Sequence, residues 1–227
     1  NYAFRFGGAV LILTFWLLFF LDKNLVIDRA WWGVILGSLI VLTYGLWDDI
    51  KDLKPGWQLV FQLLIVLIII GAGVRIDYIT NPFGGALRLD QIQFSIFNFS
   101  RFGLDPAVAG QFSIFSSLFI LIWLIVIMNA VNWLDGIDGL ASGVSLVGFV
   151  VIFFLSVSGF VNQPPIAIVS AILAGAVLGF LIYNFPRRGG AKIILGTSGS
   201  IFLGFMIGSL SILSGSKIAT AFLVLSL

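Results

Sequence analysis

Long apolar runs alternate with short polar interruptions along the whole chain. The runs cover roughly 8–21, 30–47, 57–74, 112–130, 141–158, 165–183 and 199–214, and an eighth opens near 218. Several are short of the ~20 apolar residues needed to cross about 30 Å of hydrocarbon. The pattern predicts an all-α polytopic membrane protein with about eight transmembrane helices. Trp31, Trp32, Trp47, Trp57 and Trp133 fall near predicted helix ends, where an interfacial aromatic belt belongs. Trp16 and Trp123 fall inside runs and read as packing residues.

One interruption differs from the others. Over 75–111 the chain has a long loop in which Gln91-Ile92-Gln93-Phe94-Ser95-Ile96 alternates strictly between polar and apolar, a strand signature. An Asn81-Pro82-Phe83-Gly84-Gly85 turn lies upstream, after Val74 to Ile79. The expectation is a small β-hairpin on the extracytoplasmic side.

Composition sharpens the class. The chain is 60% hydrophobic and 10% charged, against about 25% charged in ordinary soluble domains. A net charge of +2 is too small to argue for nucleic acid. Cys, His and Glu are all absent, so the ten acids are all Asp. That removes thiol chemistry, an imidazole base and the usual zinc sites. Acid–base or metal chemistry must then use Asp with Asn, Ser, Thr, Lys or backbone, and oxygen ligands of this kind suit Mg²⁺ or Mn²⁺. The chain opens at Asn1 and closes at Leu227 beside apolar runs, which reads as one domain over 1–227 truncated at both ends.

Three polar clusters carry the candidate chemistry. They are Asp48-Asp49-Ile50-Lys51-Asp52, Asn129 to Gly139, and Asn184 to Lys192 followed by Leu195-Gly196-Thr197-Ser198-Gly199-Ser200. An even number of predicted crossings separates each from the next, so all three can share one aqueous face. Lysines and arginines divide six against six between the two faces, so charge alone gives only a slight lean to clusters-inside.

Adjacent carboxylates at Asp48 and Asp49 repel unless a cation offsets them. Asp48 and Asp52 are spaced i, i+4 on one helix face, with Asp49 directed elsewhere. An ordinary charged turn at the interface is the competing reading. Asn129, Asn132 and Asp135 step at i, i+3 along one helical ridge. Polar groups at that depth are costly and tend to be functional. Gly136 and Gly139 favour a break that aims Asp138 separately from Asp135. A capped helix end with a glycine turn is the alternative. Arg187, Arg188 and Lys192 read as a basic juxtamembrane loop, and the Gly-Ser run opening the next helix suits a phosphate or close helix packing.

Taken together, Arg5-Phe-Gly-Gly, Gly45-Leu-Trp-Asp-Asp-Ile-Lys-Asp-Leu, Asn129-Ala-Val-Asn-Trp-Leu-Asp-Gly-Ile-Asp-Gly-Leu-Ala-Ser-Gly and Ala191-Lys-Ile through Gly204 resemble the polyprenyl-phosphate N-acetylhexosamine-1-phosphate transferases. The stretches Asp48–Leu53 and Gly73–Phe83 look closer to the branch transferring N-acetylglucosamine-1-phosphate than to the muramoyl-pentapeptide branch. The resemblance implies an Mg²⁺-dependent enzyme of a bacterial inner membrane, its site facing the cytoplasm. Undecaprenyl phosphate would attack the β-phosphorus of a UDP-N-acetylhexosamine and release UMP, the first membrane step of a cell-envelope glycan. It further implies that Asp48, Asp49 and Asp135 are catalytic and hold the metal. Asn129, Asn132, Asp138, Lys192, Gly199 and Ser200 would bind substrate. Membrane lipids surround it, no nucleic acid is expected, and a homodimer is an assembly the resemblance allows.

The family's last motif places an acid where this chain has Thr197. That leaves two other readings open: an impaired relative that binds lipid phosphate or nucleotide without turnover, and a transporter with polar residues at broken helices. Helix-end clusters on one face, with no internal repeat, weigh against the transporter.

Overall fold

The computed structural model describes residues 6–76, 78–80, 86–88, 114–158, 162–185 and 190–214. Seven helices occupy them: α1 (Gly7–Leu21), α2 (Arg29–Lys51), α3 (Pro55–Gly71), α4 (Ile114–Leu134), α5 (Leu140–Val157), α6 (Pro164–Asn184) and α7 (Gly196–Leu213). Five are long and apolar enough to cross a membrane, namely α2, α4, α5, α6 and α7. The chain is therefore a multi-pass membrane protein.

The expected count of eight spans is not met among the described residues. At 1.5 Å per residue, the 15 residues of α1 and 17 of α3 reach only about 22 Å and 26 Å, short of the ~30 Å hydrocarbon layer. The run beginning near 218 lies outside the described residues. So does the alternating segment Gln91–Ile96, and the structure does not support the hairpin placed there. The only strands among the described residues are two of three residues each, Tyr78–Thr80 and Ala86–Arg88. They pair antiparallel with Tyr78 opposite Arg88 and Thr80 opposite Ala86.

Local chemistry sets the helix ends. Asp28 caps α2 by accepting from the Trp31 N–H at 3.1 Å. The helix stops at Lys51 because Asp52 takes a left-handed conformation, φ +46°. Asp52 is thus off the helix, and the expected Asp48/Asp52 helix face does not form. Pro55 then opens α3 and Pro164 opens α6, positions where a missing N–H is tolerated.

At the centre stands α7, buried at nearly every position from Gly196 to Ile212. It touches α1, α2, α4, α5 and α6. Small residues permit this. Gly37 of α2 faces the Phe205 ring, and Gly204 and Gly208 of α7 lie against Met128 and Leu124 of α4. Where α1 crosses α7, Gly8 meets Gly199 backbone to backbone, so a side chain on either would force the helices apart. Outward-facing apolar side chains such as Leu13, Leu17, Val126, Phe154 and Leu178 are exposed, as a lipid-facing surface requires.

Candidate functional site

Hydrogen bonds tie one end of every helix into a single polar layer. The Gly8 N–H at the start of α1 donates to the Leu195 carbonyl at 2.9 Å. Asp49 near the end of α2 reaches the start of α7. Gln58 at the start of α3 reaches Asp48. Asn132 near the end of α4 accepts from the Ser200 hydroxyl at 2.7 Å. Asn184 at the end of α6 bonds the start of α5. The three clusters that parity placed on one face do converge there.

The centre of this layer is the first turn of α7. Leu195 precedes the helix and offers no side-chain cap, yet a helix start leaves several N–H groups without partners. A carboxylate from elsewhere in the chain satisfies two of them. Asp49 accepts from the Thr197 N–H at 2.6 Å, the Ser198 N–H at 3.2 Å and the Ser198 hydroxyl at 2.6 Å. Asp135 stands near the Gly196 backbone N–H. One acid thus caps the helix start from outside it and a second stands beside it, a placement favoured by the positive end of the helix dipole. Gly196 is required here on two counts: its φ is +74°, and a Cβ would lie 2.8 Å from the Asp49 carboxylate.

This arrangement changes the reading of the Gly-Ser run. The N–H groups of Thr197 and Ser198, expected to suit a phosphate, are already bonded to Asp49. Gly199 is buried against Gly8, and Ser200 is buried and bonded to Asn132 and to the Gly196 carbonyl at 2.9 Å. Both residues sit beneath the layer and fix its shape.

Asp48 and Asp49 point to different partners, as their spacing predicted. Asp48 is 5% exposed. It accepts from the Leu53 N–H at 2.8 Å and from the Gln58 amide, at 3.1 Å to each carboxylate oxygen. Asn129 does not join the layer's open face. It exchanges hydrogen bonds of 2.8 and 3.3 Å with Gln62 of α3 and donates to the Ile125 carbonyl at 2.8 Å.

Asp135 lies just past the end of α4 and is the perturbed acid outside the spans. Burial pushes its carboxyl up to about 7, and the nearby charges of Asp49 and Asp138 push the same way against the nearby Gly196 N–H. Asp138 is aimed elsewhere, as the flanking glycines predicted. It is exposed and accepts from the Ala191 N–H at 3.1 Å. Lys192 follows, exposed, its backbone N–H donating to the Tyr183 carbonyl at 3.0 Å. Arg5, Arg187 and Arg188 lie outside the described residues.

Among the described residues no three carboxylates gather into a metal-holding group. Mg²⁺ asks for less, because it keeps several waters and commonly takes one or two protein carboxylates plus substrate phosphates. A half-buried, donor-poor Asp135 beside the Asp49 charge fits that smaller demand.

Sequence reasoning missed two amides. Gln58 and Gln62 stand one turn apart in an apolar helix, and that i, i+4 spacing was the available signal. Asn184, 2% exposed, accepts from the Gly139 N–H at 3.1 Å and the Ser142 hydroxyl at 2.8 Å, and donates to the Ile193 carbonyl at 3.0 Å. It holds the Asp138 turn to the segment carrying Lys192.

Residues 31–215 match the profile of Glycosyl transferase family 4. A probable undecaprenyl-phosphate N-acetylglucosaminyl 1-phosphate transferase of Bacillus subtilis is 32% identical over 84% of this chain and 46% of its own length. A decaprenyl-phosphate N-acetylglucosaminephosphotransferase of Mycolicibacterium smegmatis is 30% identical over 88% of this chain and 45% of its own. A phospho-N-acetylmuramoyl-pentapeptide-transferase of Listeria monocytogenes is 30% identical over 91% of this chain and 60% of its own. The chain spans about half the length of the curated relatives it matches.

Proposed function

The chain belongs to Glycosyl transferase family 4, and from that membership we propose that it transfers N-acetylhexosamine-1-phosphate, specifically N-acetylglucosamine-1-phosphate, from the UDP-sugar to undecaprenyl phosphate. The observation that carries this reading is the meeting of Asp49 and Asp135 at the first turn of α7, with Asp48, Asp138 and Lys192 on the elements around it. In the transfer, an oxygen of the lipid phosphate forms a bond to the β-phosphorus. The bond from that phosphorus to the bridging oxygen breaks, and UMP departs with the bridging oxygen. Sugar and lipid are left joined by a pyrophosphate.

Within this reading Asp135, with Asp49 beside it, holds Mg²⁺, and Mn²⁺ is an alternative. When bound, the ion neutralises phosphate charge as it builds. Lys192, exposed on the strap before α7, offers its ammonium to phosphate oxygens. Asp48, oriented by Gln58 and the Leu53 N–H, is the acid placed to accept a proton from the lipid phosphate. Asn132 is held by Ser200, and Asp138 secures the strap through Ala191. Phosphoryl transfer asks a protein chiefly for positioning and charge stabilisation, and the hydrogen-bonded acids with Lys192 nearby support that reading. The layer would face the cytoplasm at the inner membrane.

The test is UMP release from UDP-N-acetylglucosamine with undecaprenyl phosphate and Mg²⁺ by the purified protein. No UMP under any of several UDP-amino-sugars would sink the reading.

One observation favours a second reading, a relative that binds without turnover. The first turn of α7 carries Thr197 in place of an acid, and three donors already occupy Asp49. Binding of UDP-sugar or lipid phosphate with no UMP release would select it.

A further inference from the structure

Asp48 is held from one side by a residue no motif contains. Gln58 lies in the first turns of α3, and its Nε2 is 3.1 Å from both carboxylate oxygens of Asp48. The only other donor to that carboxylate among the described residues is the Leu53 N–H at 2.8 Å, from the turn that follows α2. A backbone N–H on one oxygen leaves the carboxylate plane free to rotate. A side-chain amide bridging both oxygens fixes that plane.

One turn further along α3, Gln62 does the equivalent for α4. It is 1% exposed and exchanges two hydrogen bonds with Asn129. The spacing i, i+4 puts both amides on one helix face. An apolar residue at either position would suit an apolar helix better, because a buried amide is costly unless bonded. What the amides add is a fixed reference between elements. Gln58 ties α3 to the acid of α2, and Gln62 ties the same face of α3 to the ridge that ends in Asn132 and Asp135.

We propose that Gln58 is a positioning residue: its amide sets the orientation of the Asp48 carboxylate at the edge of the polar layer, while Gln62 holds α3 in register with α4. The role in turnover rests on the transferase reading. The orientation of Asp48 does not.

Three variants in the whole protein test it. Gln58→Met keeps the volume and removes the donors. Gln58→Glu keeps the shape and opposes the carboxylate with another. Gln62→Met removes the α3–α4 tie alone. The first readout needs no turnover. Carboxylates are coupled to an amine with a water-soluble carbodiimide, and the label on Asp48 is measured by peptide mass spectrometry relative to exposed Asp28. Gln58→Met should raise Asp48 labelling severalfold while Asp49 labelling stays at the wild-type level. Gln62→Met should lower thermal stability and leave Asp48 labelling unchanged.

The second readout is kinetic. Gln58→Met should lower kcat on the order of 10-fold with KM for the UDP-sugar within about twofold, since misplacement of a reacting group acts on the transition state. Gln58→Glu should lose more than Gln58→Met. Unchanged Asp48 labelling in Gln58→Met overturns the proposal. So does changed labelling with unchanged kcat. Changed labelling in a protein whose wild type releases no UMP upholds the orientation of Asp48 and sinks the transferase reading instead.

Discussion

The end of α2 and the turn between α4 and α5 each bring two acids to the polar layer, and they are treated very differently. At the end of α2, Asp48 and Asp49 are surrounded by donors: Leu53 and Gln58 on one, Thr197 and Ser198 on the other. At the α4–α5 turn, Asp135 stands near the Gly196 N–H and is pushed up to about 7 by burial, while Asp138 receives one N–H at 3.1 Å near the surface. The first pair is satisfied by the protein itself and holds helices together. In the second, Asp135 still calls for a proton or a cation. A carboxylate's chemistry is thus set less by its motif than by how many donors the fold has already given it.

If that contrast is right, the largest loss of activity falls at the donor-poor acid. Asp135→Asn should reduce UMP release by about 10²-fold or more, the scale of metal-positioning and acid–base contributions. A factor of 10² corresponds to roughly 2.7 kcal/mol of transition-state stabilisation. Thermal stability in the absence of divalent ions should hold or rise, because a half-buried charge next to Asp49 is removed. An Asp135→Asn protein that turns over at the wild-type rate would remove the distinction between the two pairs.

Asp49 should behave in the opposite way. Asp49→Ala strips the first turn of α7 of three hydrogen bonds in the most buried helix of the bundle. Caps and hydrogen bonds to charged groups suggest a stability loss of about 1–3 kcal/mol. The check is thermal unfolding in detergent without Mg²⁺. A loss of turnover with no loss of stability would mean that Asp49 serves chemistry and the cap is incidental.

Much of this was legible in the sequence, and the reasons are specific. Helix ends showed because polar residues interrupt apolar runs there, and parity then placed the three clusters together. The aim of Asp138 away from Asp135 followed from Gly136 and Gly139. The cap on α7 was not legible, because Asp49 lies 148 positions from Thr197 and no local pattern links them. A Gly-Ser turn read alone offers free N–H groups; only the fold reveals that they are taken. Gln58 and Gln62 were passed over for a related reason. A single amide in an apolar run leaves the hydropathy pattern intact, and its partner lies on another helix. The short spans α1 and α3 were counted with the others because composition reports apolarity and not the reach of the helix.

The contrast also predicts a pH dependence located at one residue. The folded protein holds the Asp135 proton up to about 7, and an unfolded chain releases it near 3.8. The folded state therefore binds the extra proton between those values. That contribution to stability is fully present below about 3.8 and is lost as pH rises through about 7. Without divalent cations, the unfolding temperature should fall as pH is raised across that window. Mg²⁺ must displace the same proton, so its apparent affinity should rise by at most about tenfold per pH unit and level off above 7. In Asp135→Asn both trends should flatten. If the wild-type unfolding temperature rises with pH over this range, the assignment to Asp135 fails.

The smallest effect belongs to Thr197, and it bears on how far the donor-rich turn can accept another acid. Thr197 is the second residue of α7, and its N–H already bonds Asp49. An acid there gains from the helix dipole by about 0.3–1 kcal/mol. It also stands beside Asp49 and near Asp135, and like charges at that range oppose the gain. Without Mg²⁺ the two effects should nearly cancel, leaving Thr197→Asp within about 1 kcal/mol of the parent. With Mg²⁺ the balance changes, because an added carboxylate gives the ion a full negative charge where the hydroxyl offers a neutral oxygen. The Mg²⁺-induced rise in unfolding temperature should therefore be larger in Thr197→Asp, and UMP release at limiting Mg²⁺ should be faster. The parent should reach the same rate only at higher Mg²⁺. Equal Mg²⁺ shifts in the two proteins would mean that the ion is held without help from the α7 turn, by Asp135 and the substrate phosphates alone.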